Sequence, residues 1–343
     1  MMEKTRLGKT DLMVSRTAFG GIPIQRITFE ESTAILKKAY ASGMNFYDTA
    51  RGYGTSEKRI GEALGDVREN VIIATKSFSA TGKELRTNLE TSLKELNTDY
   101  IDLFQFHNPS QMPKPGASDG VYDEALAAKK EGLIRHIGIT AHSLEYAKEL
   151  VTSGLYETMQ FPLSLLSSDE EIKFVELCKE HDVGFIAMKA MAGGLITNAK
   201  VAFSFLRRFE NVVPIWGIQF MWELEEFLQY EAKPPKLDDE LWDTINQYRK
   251  DLAIDFCRAC GYCMPCSEGI NIPMAVRAEL LVGRMPLDNL VNENFQAMMQ
   301  RIKNCTNCGH CIKHCPYKLD IPPLLHKHLA FYEGFIEEYN NKK

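Results

Sequence analysis

Four side chains able to take part in proton transfer lie at or just after the ends of three short apolar runs. Asp48 follows MNFY, Lys76 follows VIIAT and His107 follows IDLFQF, while Tyr53 lies a few residues beyond Asp48. This set suits the reduction of a carbonyl, or the oxidation of an alcohol, because hydride transfer to a carbonyl leaves an alkoxide that needs a proton donor. Lys76 would stabilise the Tyr53 phenolate and lower its pKa, with Asp48 holding Lys76 in place. His107 would donate to the substrate oxygen and orient it.

Each of these residues also has an ordinary structural explanation. Asp48 suits the cap of a turn, and Lys76 suits a solvated strand end. Tyr53 and His107 suit packing positions in a core. Their joint placement after adjacent strands favours a catalytic set, because (β/α)8 enzymes carry their chemistry at the C-terminal ends of the strands.

Cysteines form a second group with chemical potential. Of the nine, eight fall after Asp255, as Cys-x2-Cys-x2-Cys-x2-Cys and then as Cys-x2-Cys-x2-Cys-x3-Cys-Pro. Three cysteines at x2 spacing bind three corners of a cubane, and the fourth ligates the other cluster. The sequence therefore predicts two [4Fe-4S] clusters. Their ligands would be Cys257, Cys260, Cys263 and Cys315 for one cluster, and Cys266, Cys305, Cys308 and Cys311 for the other.

Structural zinc is the alternative for these eight thiols, since two all-thiolate zinc sites would use the same number. Zinc ligands usually come as separated pairs, so four thiols in close succession favour clusters. The first group departs from the ferredoxin pattern, with x2 rather than x3 before Cys266 and with Pro265 directly ahead of it. That departure leaves the path of Cys266 open. The ninth thiol, Cys178, lies on the apolar face of EIKFVELCKEHD, and we interpret it as a core residue.

The elements that would position the first set of residues alternate along the chain up to about Tyr230. Eight apolar segments, TAFGG, MNFYDTA, NVIIATKS, YIDLFQFH, IRHIGITA, TMQFPLS, GFIAMKA and VVPIWGI, are separated by helical patterns. Such alternation predicts a parallel sheet covered by helices, and eight units can close into a (β/α)8 TIM barrel. A doubly wound sheet is the rival, but no GxGxxG turn follows any early strand. Before the first unit, TRLGKTDLMVS predicts a hairpin that turns at Gly8–Lys9.

Length and composition fit two domains. The 343 residues suit a barrel of about 250 residues with a small appended domain, and KPPKLDD (233–239) is typical of a linker. We expect the barrel over 1–232 and a small, mostly helical, ferredoxin-like iron–sulfur domain over 233–343. The net charge of -6 argues against a nucleic-acid partner. No signal peptide and no long apolar run is apparent, so we expect a cytoplasmic protein that does not span a membrane.

The segment NFYDTARGYGTSEKRIGEAL resembles the signature of the aldo/keto reductase superfamily. The likeness runs from Arg6 to about Leu228 and implies that Asp48, Tyr53, Lys76 and His107 form a catalytic tetrad. The Cys-rich tail, CGYCMPC…GINIP, resembles the iron–sulfur extension of one subgroup of that family.

The same resemblance implies a nicotinamide site. Gln160 in ETMQFP matches the glutamine that contacts the carboxamide, and Thr140 stands where a serine is usual. Met188 takes the position of the residue stacked on the nicotinamide ring, where a thioether can pack. Gly217 and Glu226 fit the loop that wraps the adenine end. Met188 and Gly217 equally suit a core position and a turn.

The loop after the eighth predicted strand bears on the choice of nicotinamide. No Lys or Arg lies between Trp216 and Tyr230, where NADPH-using relatives place basic residues, and Glu223 stands where an arginine is common. A carboxylate would repel the 2′-phosphate and accept from a free ribose hydroxyl, so NADH is favoured over NADPH. Glu223 equally suits the first turn of a helix, where the helix dipole favours an acid.

The two halves imply chemistries that do not match in electron count. A nicotinamide delivers two electrons as hydride, a cubane moves one at a time, and we find no flavin motif to bridge them. In one interpretation, the barrel is a nicotinamide-dependent reductase of a small-molecule carbonyl, and the clusters are structural or report redox state. In the alternative, the clusters exchange electrons with a ferredoxin-like partner and the barrel hosts a different redox step. A third interpretation, an electron-transfer subunit with a decayed barrel, conflicts with the intact tetrad.

Overall fold

The computed structural model describes residues 2–252, 257, 261–282, 285–315 and 317–342. Cys260, one of the predicted cluster ligands, lies outside these residues. The chain divides into two compact units, Met1–Ile245 and Asn246–Lys343. Within the described ranges, no helix has both the length and the apolar character that crossing a membrane requires.

Eight parallel strands form a closed barrel in the first unit, each followed by a helix, so the predicted (β/α)8 fold is confirmed. Two further strands at the N-terminus pair antiparallel as a hairpin. In chain order the strands are β1 (Lys4–Arg6), β2 (Met13–Ser15), β3 (Ala18–Gly20), β4 (Phe46–Asp48), β5 (Ile72–Ser77), β6 (Ile101–Phe106), β7 (Ile134–Thr140), β8 (Thr158–Pro162), β9 (Gly184–Met188) and β10 (Val212–Gly217). The helices of this unit are α1 (Phe29–Ala41), α2 (Ser56–Leu64), α3 (Gly82–Glu95), α4 (Val121–Lys130), α5 (Leu144–Thr152), α6 (Asp169–Glu180), α7 (Ala199–Arg207) and α8 (Met221–Ala232). A ninth helix, α9 (Asp239–Leu252), follows the stretch predicted as a linker, and the boundary between the two units falls within it.

The β1–β2 hairpin closes the N-terminal end of the barrel. Leu7 and Val14 are buried with interior residues of the barrel strands, among them Phe46 and Leu103. The turn approaches β9 so closely that a Cβ on Gly8 would lie 2.1 Å from a backbone nitrogen, and Gly8 has φ +52. Glycine satisfies both demands because it lacks a Cβ. The hairpin turn is confirmed at the predicted position.

Local sequence explains where the helices of the barrel begin. Thr28 and Glu31 form a capping box at the start of α1, and Ser168 and Glu171 form another at the start of α6. Each box satisfies backbone N–H groups that the first turn of a helix leaves without partners. Helix α6 turns Cys178 into the core, where burial raises the pKa of its thiol. The interpretation of Cys178 as a core residue is therefore confirmed.

The second unit is helical and builds its own apolar core. Its helices are α10 (Ile272–Ala275), α11 (Ala278–Val282), α12 (Leu287–Val291), α13 (Glu293–Gln300), α14 (His310–Lys313) and α15 (Ile321–Asn341). Helix α15 buries Leu325, Leu329 and Tyr332 along one face, the spacing of an amphipathic helix. The buried thiols of Cys263 and Cys311 belong to the same core.

Candidate active site and cysteine cavity

An ion pair between Asp48 and Lys76 lies at the C-terminal ends of β4 and β5. The Lys76 Nζ is 2.8 Å from Asp48 Oδ1, 2.7 Å from Asp48 Oδ2 and 2.8 Å from the Thr49 carbonyl oxygen. Both charged residues are 1% exposed. Burial works to lower the pKa of Lys76, but Asp48 and Tyr53 raise it above its ordinary value, so the amine stays protonated. The two predicted residues form one buried, hydrogen-bonded pair.

Tyr53 lies beside this pair on the loop after β4. The Lys76 Nζ is 5.1 Å from the centroid of the Tyr53 ring. The loop is tied to β5, because the Arg51 N–H donates to the Lys76 carbonyl oxygen over 2.8 Å. Burial raises the pKa of Tyr53, and Lys76 opposes this effect without reversing it. The expectation that Lys76 would give Tyr53 a lowered pKa is therefore wrong in its net direction, because desolvation of the phenolate is the larger effect.

His107 completes the predicted set and is held by an aromatic neighbour. Its ring stacks on Phe78 with 3.9 Å between centroids and meets the Tyr53 ring edge-on at 6.0 Å. The pKa of His107 falls to about 3, because burial disfavours the charged ring and the Lys76 ammonium adds repulsion. The imidazole is therefore neutral at physiological pH. The structure thus brings Asp48, Tyr53, Lys76 and His107 together.

Three residues that support this set were not predicted from the sequence. Gln105, inside β6, donates to Gln160 Oε1 over 2.9 Å and approaches Asp48 Oδ1 at 3.4 Å. Glu57 is 1% exposed, accepts a 2.6 Å hydrogen bond from Thr75 Oγ1 and pairs with Arg51 of the Tyr53 loop. Phe78 is the third. For Gln105 a signal existed, because a residue two positions before His107 points to the same side of its strand.

The residues predicted around the nicotinamide lie at the ends of the following strands. Thr140 and Gln160 are paired in the register of β7 and β8, and Met188 ends β9. The Thr140 hydroxyl oxygen accepts from the Asn108 N–H over 2.9 Å, which leaves its own proton able to donate. Gly217 is the last residue of β10.

Two glutamates predicted near the adenine end lie on α8. Glu223 Oε2 accepts from the N–H groups of Gln219 at 2.7 Å and Phe220 at 2.9 Å. The carboxylate therefore caps the start of α8, where the helix dipole favours a negative charge. Glu226 accepts a hydrogen bond from the Tyr230 hydroxyl over 2.6 Å.

Thiols in the second unit surround a cavity of about 350 Å³. Its lining includes Cys266 together with Cys305, Cys308 and Cys311, the four residues predicted to share one cluster, and also Cys263. Among the described residues, no three His, Cys, Asp or Glu side chains converge closely enough to hold a single metal ion. The lining is mostly apolar, with Ile270, Ile272 and Leu325 beside the sulfurs.

Comparison with known proteins assigns both regions. Residues 17–214, more than half of the chain, match the model of the aldo/keto reductase family. The chain belongs to that family. Residues 256–320 match the model of a 4Fe-4S dicluster domain, so the C-terminal region is of the iron–sulfur type. The predicted family and the iron–sulfur extension are confirmed.

Individual relatives resemble the barrel. The chain is 30% identical over 214 residues to the uncharacterized oxidoreductase YqkF of Bacillus subtilis, covering 57% of this chain and 67% of the relative. It is 29% identical over 228 residues to the NADH-specific methylglyoxal reductase of Escherichia coli, covering 57% and 69%. The crystal structure of an aldo-keto reductase from Klebsiella pneumoniae in complex with NADPH superposes with a TM-score of 0.63 at 19% identity, covering 73% of this chain and 96% of that one. The last comparison shows a shared fold.

Breaking the Asp48–Lys76 pair should cost more stability than breaking a surface pair. Lys76→Met leaves a buried carboxylate without its partner, so we expect the free energy of unfolding to fall by about 3–5 kcal/mol. The double variant Asp48→Asn/Lys76→Met should recover part of that loss, since no charge remains buried alone. Urea unfolding followed by tryptophan fluorescence measures this in the barrel, because Trp216, Trp222 and Trp242 all lie in the first unit.

The matched control is Lys58→Met, which breaks an exposed pair with Glu62 at 3.8 Å. Exposed pairs contribute about 0–1 kcal/mol, so the free energy of unfolding of this variant should stay near that of the parent. A Lys76→Met variant no less stable than Lys58→Met would contradict the buried pair.

Proposed function

We propose that the barrel reduces a small-molecule carbonyl, or oxidises the corresponding alcohol, by hydride transfer with a nicotinamide, and that Tyr53 is the proton donor. The observation that carries this proposal is the buried Asp48–Lys76 pair beside a protonated phenol and a neutral imidazole. Family membership supports the reaction type.

The chain's own residues divide the work of proton transfer. The raised pKa keeps Tyr53 protonated, which is the form that can donate to a substrate oxygen. Lys76, fixed by Asp48 and the Thr49 carbonyl, offsets the negative charge left on the phenolate. His107 is neutral, and its buried Nδ1 has no hydrogen-bond partner among the described residues, so we assign its proton to Nε2. That N–H would orient the substrate oxygen.

A nicotinamide, when bound, supplies the hydride. Thr140 and Gln160 would hold its carboxamide, with Met188 against the ring and Gly217, Glu223 and Glu226 toward the adenine end. The donor set fits, because a free hydroxyl proton on Thr140 and the Gln160 amide complement a carboxamide. The neighbouring Gln105 would keep the Gln160 amide in place.

Replacing the proton donor tests the mechanism directly. Tyr53→Phe should lower kcat by roughly 100-fold or more, because an acid–base group contributes on that scale, while nicotinamide binding survives. The measurement is steady-state reduction of a panel of aldehydes and ketones, with nicotinamide binding followed by fluorescence. Tyr40→Phe on α1 is the control and should keep normal kcat. A Tyr53→Phe variant with near-normal kcat would rule out the assignment.

We infer that the barrel favours NADH. The stretch from Trp216 to Tyr230 carries no Lys or Arg to receive a 2′-phosphate, and it carries Glu223 instead. Relatives with this fold include an NADH-specific enzyme and an NADPH complex, so the charges of this chain carry the inference. Because Glu223 Oε2 is engaged in capping α8, any contact with the ribose would use the other carboxylate oxygen.

NADH should therefore bind with a lower Kd than NADPH at one fixed salt concentration. Glu223→Arg should narrow or reverse the difference, because a guanidinium attracts the 2′-phosphate that a carboxylate repels. Glu225→Arg, with the same charge change on the same helix, should have less effect. Glu223→Gln removes the charge but keeps a side-chain oxygen that can cap α8, so this variant separates the effect of charge from the effect of capping. Tighter NADPH binding by the parent protein would overturn the inference.

We further propose that the second unit holds two [4Fe-4S] clusters with crossed ligands. Cys257, Cys260, Cys263 and Cys315 would hold one, and Cys266, Cys305, Cys308 and Cys311 the other. The cavity lined by all four members of the second set supports the crossing, although Cys266 comes from the first sequence group. A cavity of about 350 Å³ between thiols suits a cluster better than one zinc ion, whose four sulfurs would meet at about 2.3 Å from a common centre.

Iron analysis of double variants tests the crossing. The anaerobic protein should carry about eight irons and eight acid-labile sulfides, the content of two cubanes. Cys266→Ser and Cys308→Ser should each lose the same cluster, so the double variant should lose no more iron than either single variant. Cys266→Ser combined with Cys257→Ser should lose both clusters. Cys178→Ala is the control and should keep full iron.

Zinc in place of iron in the parent protein would refute the cluster proposal. Additive iron loss in the Cys266→Ser/Cys308→Ser variant would refute the crossed ligands alone.

A further inference from the structure

The exposed surface around α14 combines basic and apolar side chains beside the cysteine cavity. His310, Lys313 and His314 are exposed and lie three and four residues apart, so they share one side of the helix. The two imidazole rings are 4.1 Å apart between centroids. Ile312 is 38% exposed in the same turn. We call Cys308, His310, Ile312, Lys313 and His314 the α14 surface.

Charge in this region is opposite to that of the whole chain. The stretch 301–319 contains four Lys or Arg residues and no Asp or Glu, whereas the chain carries a net charge of -6. Lys303 forms an ion pair with Glu333, with 2.8 Å between Nζ and Oε1. One acidic residue from another segment, Glu268, lines the cavity. Lys313 is thus the exposed ammonium closest in sequence to the thiols of Cys311 and Cys315.

The cavity reaches this surface. Cys308 is exposed, and both Cys308 and His310 line the cavity that the four thiols share. A cluster bound there would lie directly beneath the α14 surface, with one ligand in contact with solvent. A protein that docks on this surface would come close to the cluster without entering the fold.

We propose that the α14 surface is the docking site for a small acidic protein that carries one electron at a time. The proposal rests on the iron–sulfur part of the proposed function and is independent of the carbonyl chemistry of the barrel. One electron leaves the reduced carrier and enters the cluster. The carrier is oxidised by one electron, the cluster is reduced by one, and no bond forms or breaks.

Two features favour an acidic protein as the occupant. Lys313 offers positive charge and the imidazoles offer hydrogen-bond donors to carboxylates, and complementary charge steers association between proteins. Ile312 adds an exposed apolar contact. Protein interfaces use such contacts, whereas the phosphate backbone of a nucleic acid does not. An alternative explanation is that Lys313 only offsets the negative charge of a cluster, and the experiment separates the two.

The test is binding of a purified ferredoxin of strongly negative net charge, measured by isothermal titration calorimetry on the anaerobic, iron-loaded full chain. We expect the Kd to rise at least fivefold between about 50 and 300 mM salt, because exposed charges are screened within about 10 Å at 0.1 M. Lys313→Glu should raise the Kd about tenfold at low salt, and Lys313→Gln should have an intermediate effect. The matched control, Lys342→Glu, makes the same charge change at the far end of α15, and its Kd should stay within about twofold of that of the parent.

Electron transfer provides the second readout. In stopped-flow mixing, the reduced ferredoxin should reduce Lys313→Glu more slowly than the parent, while a reduced viologen dye should reduce both at equal rates. Slow reduction of Lys313→Glu by both donors would show that Lys313 acts on the cluster, and would overturn the docking site. Equal Kd values for Lys313→Glu and Lys342→Glu, or salt-independent binding, would also overturn it. Iron content and carbonyl reduction with NADH, measured on the same samples, show separately whether the proposed function holds.

Discussion

A buried ammonium governs the chemistry available at the mouth of the barrel. Removing the charge of Lys76 from water is unfavourable by several kcal/mol, and it is tolerated because Asp48 and the Thr49 carbonyl together offer three acceptors within 2.8 Å. The charge then acts on two neighbours in one direction, favouring the less protonated form of each. It helps to keep the pKa of His107 at about 3, and it limits how far burial raises the pKa of Tyr53. Burial thus keeps the phenol protonated and the imidazole neutral, and the Lys76 charge opposes the first effect and adds to the second.

Because the fold is a parallel barrel, this arrangement could be predicted from the sequence. Consecutive parallel strands end at the same edge, so residues after three successive apolar runs must lie close together. In the observed register Asp48 is opposite Ala74, two residues before Lys76, and the long lysine side chain reaches back to the carboxylate. The eight strands and the hairpin were predictable for the same reason, since their apolar patterns and turn residues are local properties of the sequence.

The residues that were not predicted from the sequence owe their roles to burial and to contacts between distant segments of the chain. Gln105 lies within a mostly apolar strand, and its role depends on its contacts with Asp48 and Gln160, which come from other strands. Phe78 resembles any loop aromatic until its ring is found stacked on His107. The direction of the Tyr53 pKa shift was predicted wrongly because spacing reveals that a lysine is near, but it does not reveal how much water has been removed from the phenol.

A nicotinamide transfers two electrons as hydride, whereas a cubane cluster transfers one at a time. This difference matters less if the two units carry out separate steps. Asp48, Tyr53, Lys76 and His107 satisfy one another within Met1–Ile245, and none of their described contacts uses a cysteine. The cysteine cavity is packed on the apolar core of the second unit, formed by α10 to α15. The described contacts of each site thus lie within its own unit. Since Cys308 and the basic side chains of α14 are at the surface, the proposed docking of a protein partner would let electrons enter or leave the second unit one at a time.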